Sequence, residues 1–374
     1  MDLRLSDEQL QIAGAIGELL AHASDSARVR EVAFSGDGFD RELWRQVGEL
    51  GACGVHLPEA RGGLGLGVTE LALVAEAMGR RLACVPWLES VALAGSTLLG
   101  VEESPAAARW LDALASGTEV FTLDIGLLGA GPVTARRTAG GGWSLDGCLP
   151  AVPAAMAAQR LLLAAQCDAQ SLLCVVPLDA PGIHREARPT HDGTRPLGAV
   201  TLTNVGLDER DCLARGAAAE RALEAGRRVA AVALASEQVG VAQQCLELTV
   251  AYLGQRVQFG QPLATFQALK HRCAQMMVAV ELARSAVLGA AREFDARVGP
   301  RRLQRVAAMA RCLADDAAQF CTQEAIQLHG GVGFTWDYDP QLYFKRAQAA
   351  RAWLGTPAEW RELVADALFE GAAA

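Results

Sequence analysis

The sequence predicts an α+β chain that is mostly α, with a helical domain over 1–117, a small β domain over 118–215 and a C-terminal four-helix-bundle domain over 216–374. Three observations carry this expectation. Apolar residues near the start (Leu10, Ile12, Ala13, Ile16, Leu19, Leu20) recur at helical spacing. Between 118 and 207 that period gives way to short apolar runs separated by turn residues. Beyond 216 the helical period returns in alanine-rich stretches that favour close helix packing. At 374 residues the chain is too long for one simple core, which agrees with a multi-part architecture.

The first helix has a start signal, because Ser6 and Gln9 form a capping-box pair and Leu5 with Leu10 are placed to staple it. A glycine-rich turn, Pro58 to Gly67, precedes a second helix predicted across Thr69 to Gly79. In the middle zone Leu161 to Ala165, Leu172 to Val176 and Val200 to Thr203 read as strands, with turns at Gly140-Gly141-Gly142 and Pro181-Gly182. The alanine-rich stretches Ala230 to Ala235 and Ala307 to Ala318 belong to long C-terminal helices.

Composition removes several function classes. A net charge of −9 argues against a nucleic-acid partner, which needs a basic face. No run of about 18 uncharged apolar residues is present, so no membrane span is expected. The first residues lack a basic segment followed by an apolar core, and the ten cysteines are dispersed without a C-x-x-C pair. A cytoplasmic protein with buried thiols and no metal site is the expectation. His271 and His329 have no partner spacing for a metal or a triad and are read as structural.

Two blocks carry chemistry. One is Arg256-Val257-Gln258-Phe259-Gly260-Gln261-Pro262-Leu263 with Gln267 and His271. The other is Gln327-Leu328-His329-Gly330-Gly331-Val332-Gly333-Phe334-Thr335-Trp336, followed by Lys345-Arg346-Ala347. A permanently charged arginine at a helix end suits a pyrophosphate, a phenylalanine offers a flat apolar face, and glutamine offers both donor and acceptor. Paired glycines let backbone N–H groups approach a phosphate.

These blocks, in this order and with the Pro58 to Gly67 turn and the Glu76-Ala77-Met78-Gly79-Arg80 helix end, closely resemble the acyl-CoA dehydrogenase family. The resemblance implies FAD as cofactor, bound partly across a subunit interface by Arg256, Phe259, Gln267, Gln327 and Gly331. It adds Thr356, which matches a family threonine near the cofactor. It also implies an acyl-CoA substrate, an electron-transfer flavoprotein as electron acceptor, and a homo- or hetero-oligomer, dimer or tetramer, with a second family member.

The chain departs from the family in two places. The middle domain lacks the family's Thr-Glu-Pro and Trp-Ile-Thr segments, reading Thr122-Leu123-Asp124-Ile125-Gly126-Leu127-Leu128-Gly129 and Leu149-Pro150-Ala151-Val152-Pro153-Ala154 instead. The catalytic base is also missing, since Leu354 stands where one branch carries its glutamate and Ala230 where another does. Glu237 returns to nearly the Ala230 face of the same helix, about 20° off and about 10 Å further along. Buried near a flavin, such a carboxylate is expected to gain a raised pKa and act as the base. The alternative is a base-lacking, non-catalytic subunit that completes the FAD site of a heteromeric acyl-CoA dehydrogenase.

Overall fold

The computed structural model describes residues 3–101, 104–124 and 133–370. The N-terminal part is helical: α1 (Asp7–Ala23), α2 (Ser26–Ala33), α3 (Arg41–Glu49) and α4 (Val68–Arg80). A wide π-type stretch, Leu88–Gly95, then runs into α5 (Ser96–Leu99), and α6 (Pro105–Ala115) follows. Ser6 caps α1 as predicted: its hydroxyl accepts from the Gln9 N–H at 3.2 Å and the Gln9 side chain accepts from the Ser6 N–H at 3.0 Å. The staple is not closed over, because Leu10 stays 54% exposed.

The middle part is one sheet built from β1 (Phe121–Leu123), β2 (Val133–Arg137), β3 (Trp143–Pro153), β4 (Arg160–Cys167), β5 (Gln170–Pro177), β6 (Ile183–Arg188), β7 (Leu197–Leu207) and β8 (Cys212–Arg215). Its order is β6-β7-β3-β2-β4-β5-β8, with β1 beside β4; β1 and β2 run parallel to β4 and the remaining pairs are antiparallel. Leu172 to Val176 of β5 are all buried, which is why that strand reads as a continuous apolar run rather than an alternating one.

The C-terminal part holds α7 (Ala217–Gln255), a short hairpin of β9 (Val257–Gln258) and β10 (Gln261–Pro262), then α8 (Gln267–Asp295), α9 (Pro300–His329), α10 (Pro340–Ala350) and α11 (Pro357–Glu370). Every residue from Ala230 to Ala242 of α7 is buried. Small residues make this possible. A Cβ on Gly79 of α4 would lie 2.1 Å from the Glu237 carbonyl oxygen, and one on Gly240 would lie 2.0 Å from that of Glu76. The two helices therefore cross backbone to backbone, each with a glycine facing the other's carbonyl.

A second tie joins α4 to the bundle. The Asp295 carboxylate, at the end of α8, accepts from the Val68 N–H at 2.6 Å and the Thr69 N–H at 3.2 Å. It thus satisfies first-turn amides that an α-helix leaves without internal partners. On the outer side of α8, Met277, Val278 and Leu282 are exposed. One 18-residue window of α8 is apolar enough, at a mean hydropathy of 1.3, to match a membrane helix by length and composition alone.

Candidate functional site

Most of the predicted cofactor residues lie on the surface of the bundle. Arg256 is the C-cap of α7 and its side chain is exposed; its carbonyl accepts from the Leu263 N–H at 2.8 Å, which folds the hairpin back on the helix end. Phe259 sits at the hairpin tip, 86% exposed, with a positive φ of 54° and its ring edge-on to Phe266 at 6.0 Å. An apolar ring held open to solvent in a left-handed conformation is built to meet something outside the chain. Gln267 opens α8 and Gln327 lies near the end of α9, both exposed.

Gln327 lines a groove of about 480 Å³ between α8 and α9, together with Ala268, Leu269, His271, Arg272 and Glu324. Gln267 directly precedes that groove, whereas Arg256 and Phe259 are not part of its lining. Gly330 has a φ of 67°, and a Cβ on Gly331 would meet nothing within 4 Å, so the turn leaves open space for an anion. The donor set fits the nucleotide and pyrophosphate side of FAD: an exposed guanidinium, an open aromatic face, two exposed amides and a glycine turn. The split between hairpin and groove fits a cofactor shared between chains.

Thr356 stands at the start of α11. Its hydroxyl accepts from the Glu359 N–H at 3.3 Å, and the Glu359 carboxylate accepts from the Thr356 N–H at 2.6 Å and from its hydroxyl at 3.1 Å. This is a capping box at the start of α11.

Glu237 is only 3% exposed and lies in a buried charged centre. Its carboxylate is paired with the Arg195 guanidinium, and with Arg346 Nη1 at 3.1 Å. Arg346 in turn holds Asp192 at 3.1 Å and donates to the Thr194 hydroxyl at 2.7 Å and the Thr194 carbonyl at 3.1 Å. Arg195 lies 3.6 Å from Glu89 and stacks over the Trp353 ring, 4.4 Å from its centroid.

The raised pKa expected for Glu237 is overturned. Burial pushes it up, but the charges of Arg195 and Arg346, and the hydrogen bonds they donate, hold it below the usual carboxylate range. Both carboxylate oxygens of Glu237 are engaged, Oε2 by Arg195 and Oε1 by Arg346. Glu89 behaves in the opposite way: burial pushes its pKa up, and the Arg195 charge only partly opposes this. Its Oε2 has no hydrogen-bond partner among the described residues.

At the two positions where the family carries a base, Ala230 and Leu354 are both buried and apolar. Leu354 has a φ of 60°, and its carbonyl accepts from Arg227 Nε at 3.2 Å. In the middle sheet the Thr122 hydroxyl donates to the Pro153 carbonyl at 2.5 Å, joining the two segments that depart from the family pattern. Ile125 to Gly129 lie outside the described residues.

Sequence reasoning missed Glu89, Asp192 and Arg195, and it quoted Arg346 only as part of a motif. For Glu89 the available signal was a lone charge in the mostly apolar run Pro86 to Leu93, whereas Asp192 and Arg195 lie in a polar stretch that carries no such signal.

Family models described as acyl-CoA dehydrogenase, N-terminal domain, and acyl-CoA dehydrogenase, C-terminal domain, match residues 6–118 and 217–369. The chain is 33% identical over 360 residues to the acyl-CoA dehydrogenase IpdE2 of Mycolicibacterium smegmatis, covering 95% of this chain and 97% of that protein. Among solved structures it is similar to a chain of the ChsE4-ChsE5 complex from Mycobacterium tuberculosis, with 26% identity, a TM-score of 0.88 and 99% of each chain covered. It is also similar to a chain of a variant of the Tcur3481-Tcur3483 steroid ACAD, with 31% identity, a TM-score of 0.86 and coverage of 98% and 99%.

Proposed function

The chain belongs to the acyl-CoA dehydrogenase family, and from that premise we propose that it works as one chain of a two-chain dehydrogenase, completing the FAD site while a second family member supplies the catalytic base. Members of the family are oxidoreductases acting on CH–CH groups, and their cofactor is FAD. The overall reaction is α,β-dehydrogenation of an acyl-CoA thioester, in which a carboxylate takes the α-proton. FAD, when bound, accepts the hydride equivalent lost from the β-carbon.

What this chain brings is binding and orientation. Arg256 offers a charge-assisted contact to the pyrophosphate, and Phe259 an apolar face. Gln267 and Gln327 supply hydrogen-bond partners for the nucleotide, and the Gly330-Gly331 turn supplies backbone donors. The Leu354 N–H suits polarisation of a thioester carbonyl, a task that asks for a backbone donor and no particular side chain. Electrons then pass to an electron-transfer flavoprotein. A steroid-derived acyl group is the substrate class to test first, since one similar structure is described as a steroid ACAD.

The single observation that carries this reading is the state of Glu237. Glu237, on nearly the Ala230 face of α7, is held ionised by two arginines, while Ala230 and Leu354 carry no proton acceptor. The two similar solved structures named above are described as pairs of chains, which supports pairing. The exposed apolar side of α8 supplies a surface for such a partner to cover.

The test is to express the chain alone and together with a second family member that retains the ring-side motif, then record flavin per chain and oligomer mass. The expected result is little flavin alone and a flavin-loaded heteromer together. A fully flavin-loaded homo-oligomer that reduces its cofactor with acyl-CoA would overturn the proposal.

A further inference from the structure

The two cofactor blocks stand on the ends of two different helices, and helix ends are where backbone order is lost first. Arg256 closes α7 and Gln327 lies in the last turn of α9. Both side chains are in solvent, so they do not themselves hold these ends in place. What joins the ends is a group of three rings. Tyr252, one turn before Arg256, accepts the Arg256 N–H through its carbonyl at 2.9 Å. Its ring lies face to face with that of His329, with centroids 4.3 Å apart and planes inclined by 22°. Tyr338 meets both edge-on, 6.1 Å from Tyr252 and 6.2 Å from His329.

Each ring is itself held. His329 is 6% exposed and ends α9 immediately before Gly330. Its Nδ1 lies 2.6 Å from the Ala325 carbonyl oxygen, which can only accept, so Nδ1 carries the hydrogen and the ring's orientation is set. Burial holds its pKa below the usual imidazole range, so the ring stacks uncharged at neutral pH. The turn that follows folds back tightly: a Cβ on Gly333 would lie 2.9 Å from the His329 Cβ and 2.7 Å from the Ile326 carbonyl oxygen. The loop carrying Tyr338 is tied to the N-terminal helices, because Arg30 of α2 pairs with Asp339 at 2.5 Å and donates to the Trp336 carbonyl.

We infer that Tyr252, His329 and Tyr338 form a positioning stack, which holds the Arg256 end of α7 and the Gln327 to Gly331 end of α9 in the one relative arrangement that receives the nucleotide half of the cofactor. This rests on the assignment of Arg256, Gln327 and Gly331 to FAD given above. His329 acts through its flat ring against Tyr252, and its nitrogens need not reach the cofactor. Where the rings part, the receiving arrangement is populated only part of the time, and the observed affinity falls by that fraction.

The experiment uses the assembled FAD-carrying protein, homomeric or paired, stripped of flavin and titrated with FAD, with unfolding midpoints measured on the flavin-free form. His329→Ala should weaken FAD binding by about tenfold, the size of two lost ring pairs. His329→Phe keeps a flat ring against Tyr252 and should bind FAD within about twofold of the wild type. A purely structural histidine would lower the midpoint in His329→Ala and leave the affinity of the folded protein unchanged, and that result overturns the inference. So does a Phe variant as weak as the Ala variant, which would put an imidazole nitrogen in contact with the cofactor. Should His329→Ala fail to assemble, Tyr338→Ala decides, since that ring is already 37% exposed. FAD binding weaker by about threefold supports the stack, and unchanged binding overturns it. The reading of the site itself fails separately. Unchanged FAD affinity in Arg256→Ala overturns the assignment and the inference with it, whereas a weakened Arg256→Ala beside an unaffected His329→Ala overturns the inference alone.

Discussion

Arginines packed against the middle of α7 and one at its end live under opposite conditions. Arg346 and Arg195 are buried, and between them they bind Glu237, Asp192, Glu89, Thr194 and the face of Trp353. Arg256 caps the same helix with its side chain in solvent and no side-chain partner among the described residues. Burying a guanidinium is costly unless every charge nearby is matched, so the inner pair belongs to the fold. An exposed cation beside an open aromatic ring and a glycine turn costs the fold nothing and is free for a ligand. The residue type is shared, and the surroundings decide its use.

The largest effect expected from breaking this contrast is at the centre. Arg346→Leu leaves Asp192 and half of Glu237 buried without their cation, so chemical denaturation should show a loss of about 3–5 kcal/mol. A loss below about 1 kcal/mol would mean that the network is not what joins the domains. Arg256→Ala is the reverse case. Its unfolding free energy should stay within about 0.5 kcal/mol of the wild type, while FAD affinity falls by about 1.5–3 kcal/mol, read by equilibrium dialysis of the assembled protein. Unchanged FAD affinity would remove Arg256 from the cofactor site.

The smallest effect sharpens the comparison through pH. Glu89 has its folded pKa raised above the ordinary 4.5, chiefly by burial. The folded state therefore holds this proton more tightly than the unfolded chain does. Its contribution is fully present below pH 4.5 and is lost as pH rises through the folded pKa. Glu89→Gln should consequently gain stability over the wild type at pH 8, on the order of 1 kcal/mol, and gain nothing by this route at pH 4. Melting curves at the two pH values check this, and equal differences at both would show that Glu89 does not titrate abnormally.

The sequence reported local features well and distant ones poorly. The Ser6 and Gln9 pair gave the start of α1, and the helix expected across Thr69 to Gly79 is α4, one residue longer at each end. Val200 to Thr203 form the middle of β7. The burial of Glu237 was legible too, from its small and apolar neighbours. The sign of its pKa shift was not, because it depends on Arg195 and Arg346, which lie 42 and 109 residues away in the chain. Thr356 carries a second local signal. It stands three residues before Glu359, the same spacing as Ser6 and Gln9, so a helix cap was legible there beside the family match.

The Asp295 cap on α4 bears on how the protein is made. The carboxylate that satisfies the Val68 and Thr69 amides is encoded 227 residues after Val68. A ribosome delivering about 5–20 residues per second therefore leaves the start of α4 uncapped for roughly ten seconds or more. For most of that interval the N-terminal helices also lack the α7 backbone against which Gly79 packs. Residues 1–117 are thus a poor candidate for a free-standing fragment, and a nascent chain needs its bundle before its first helices can settle.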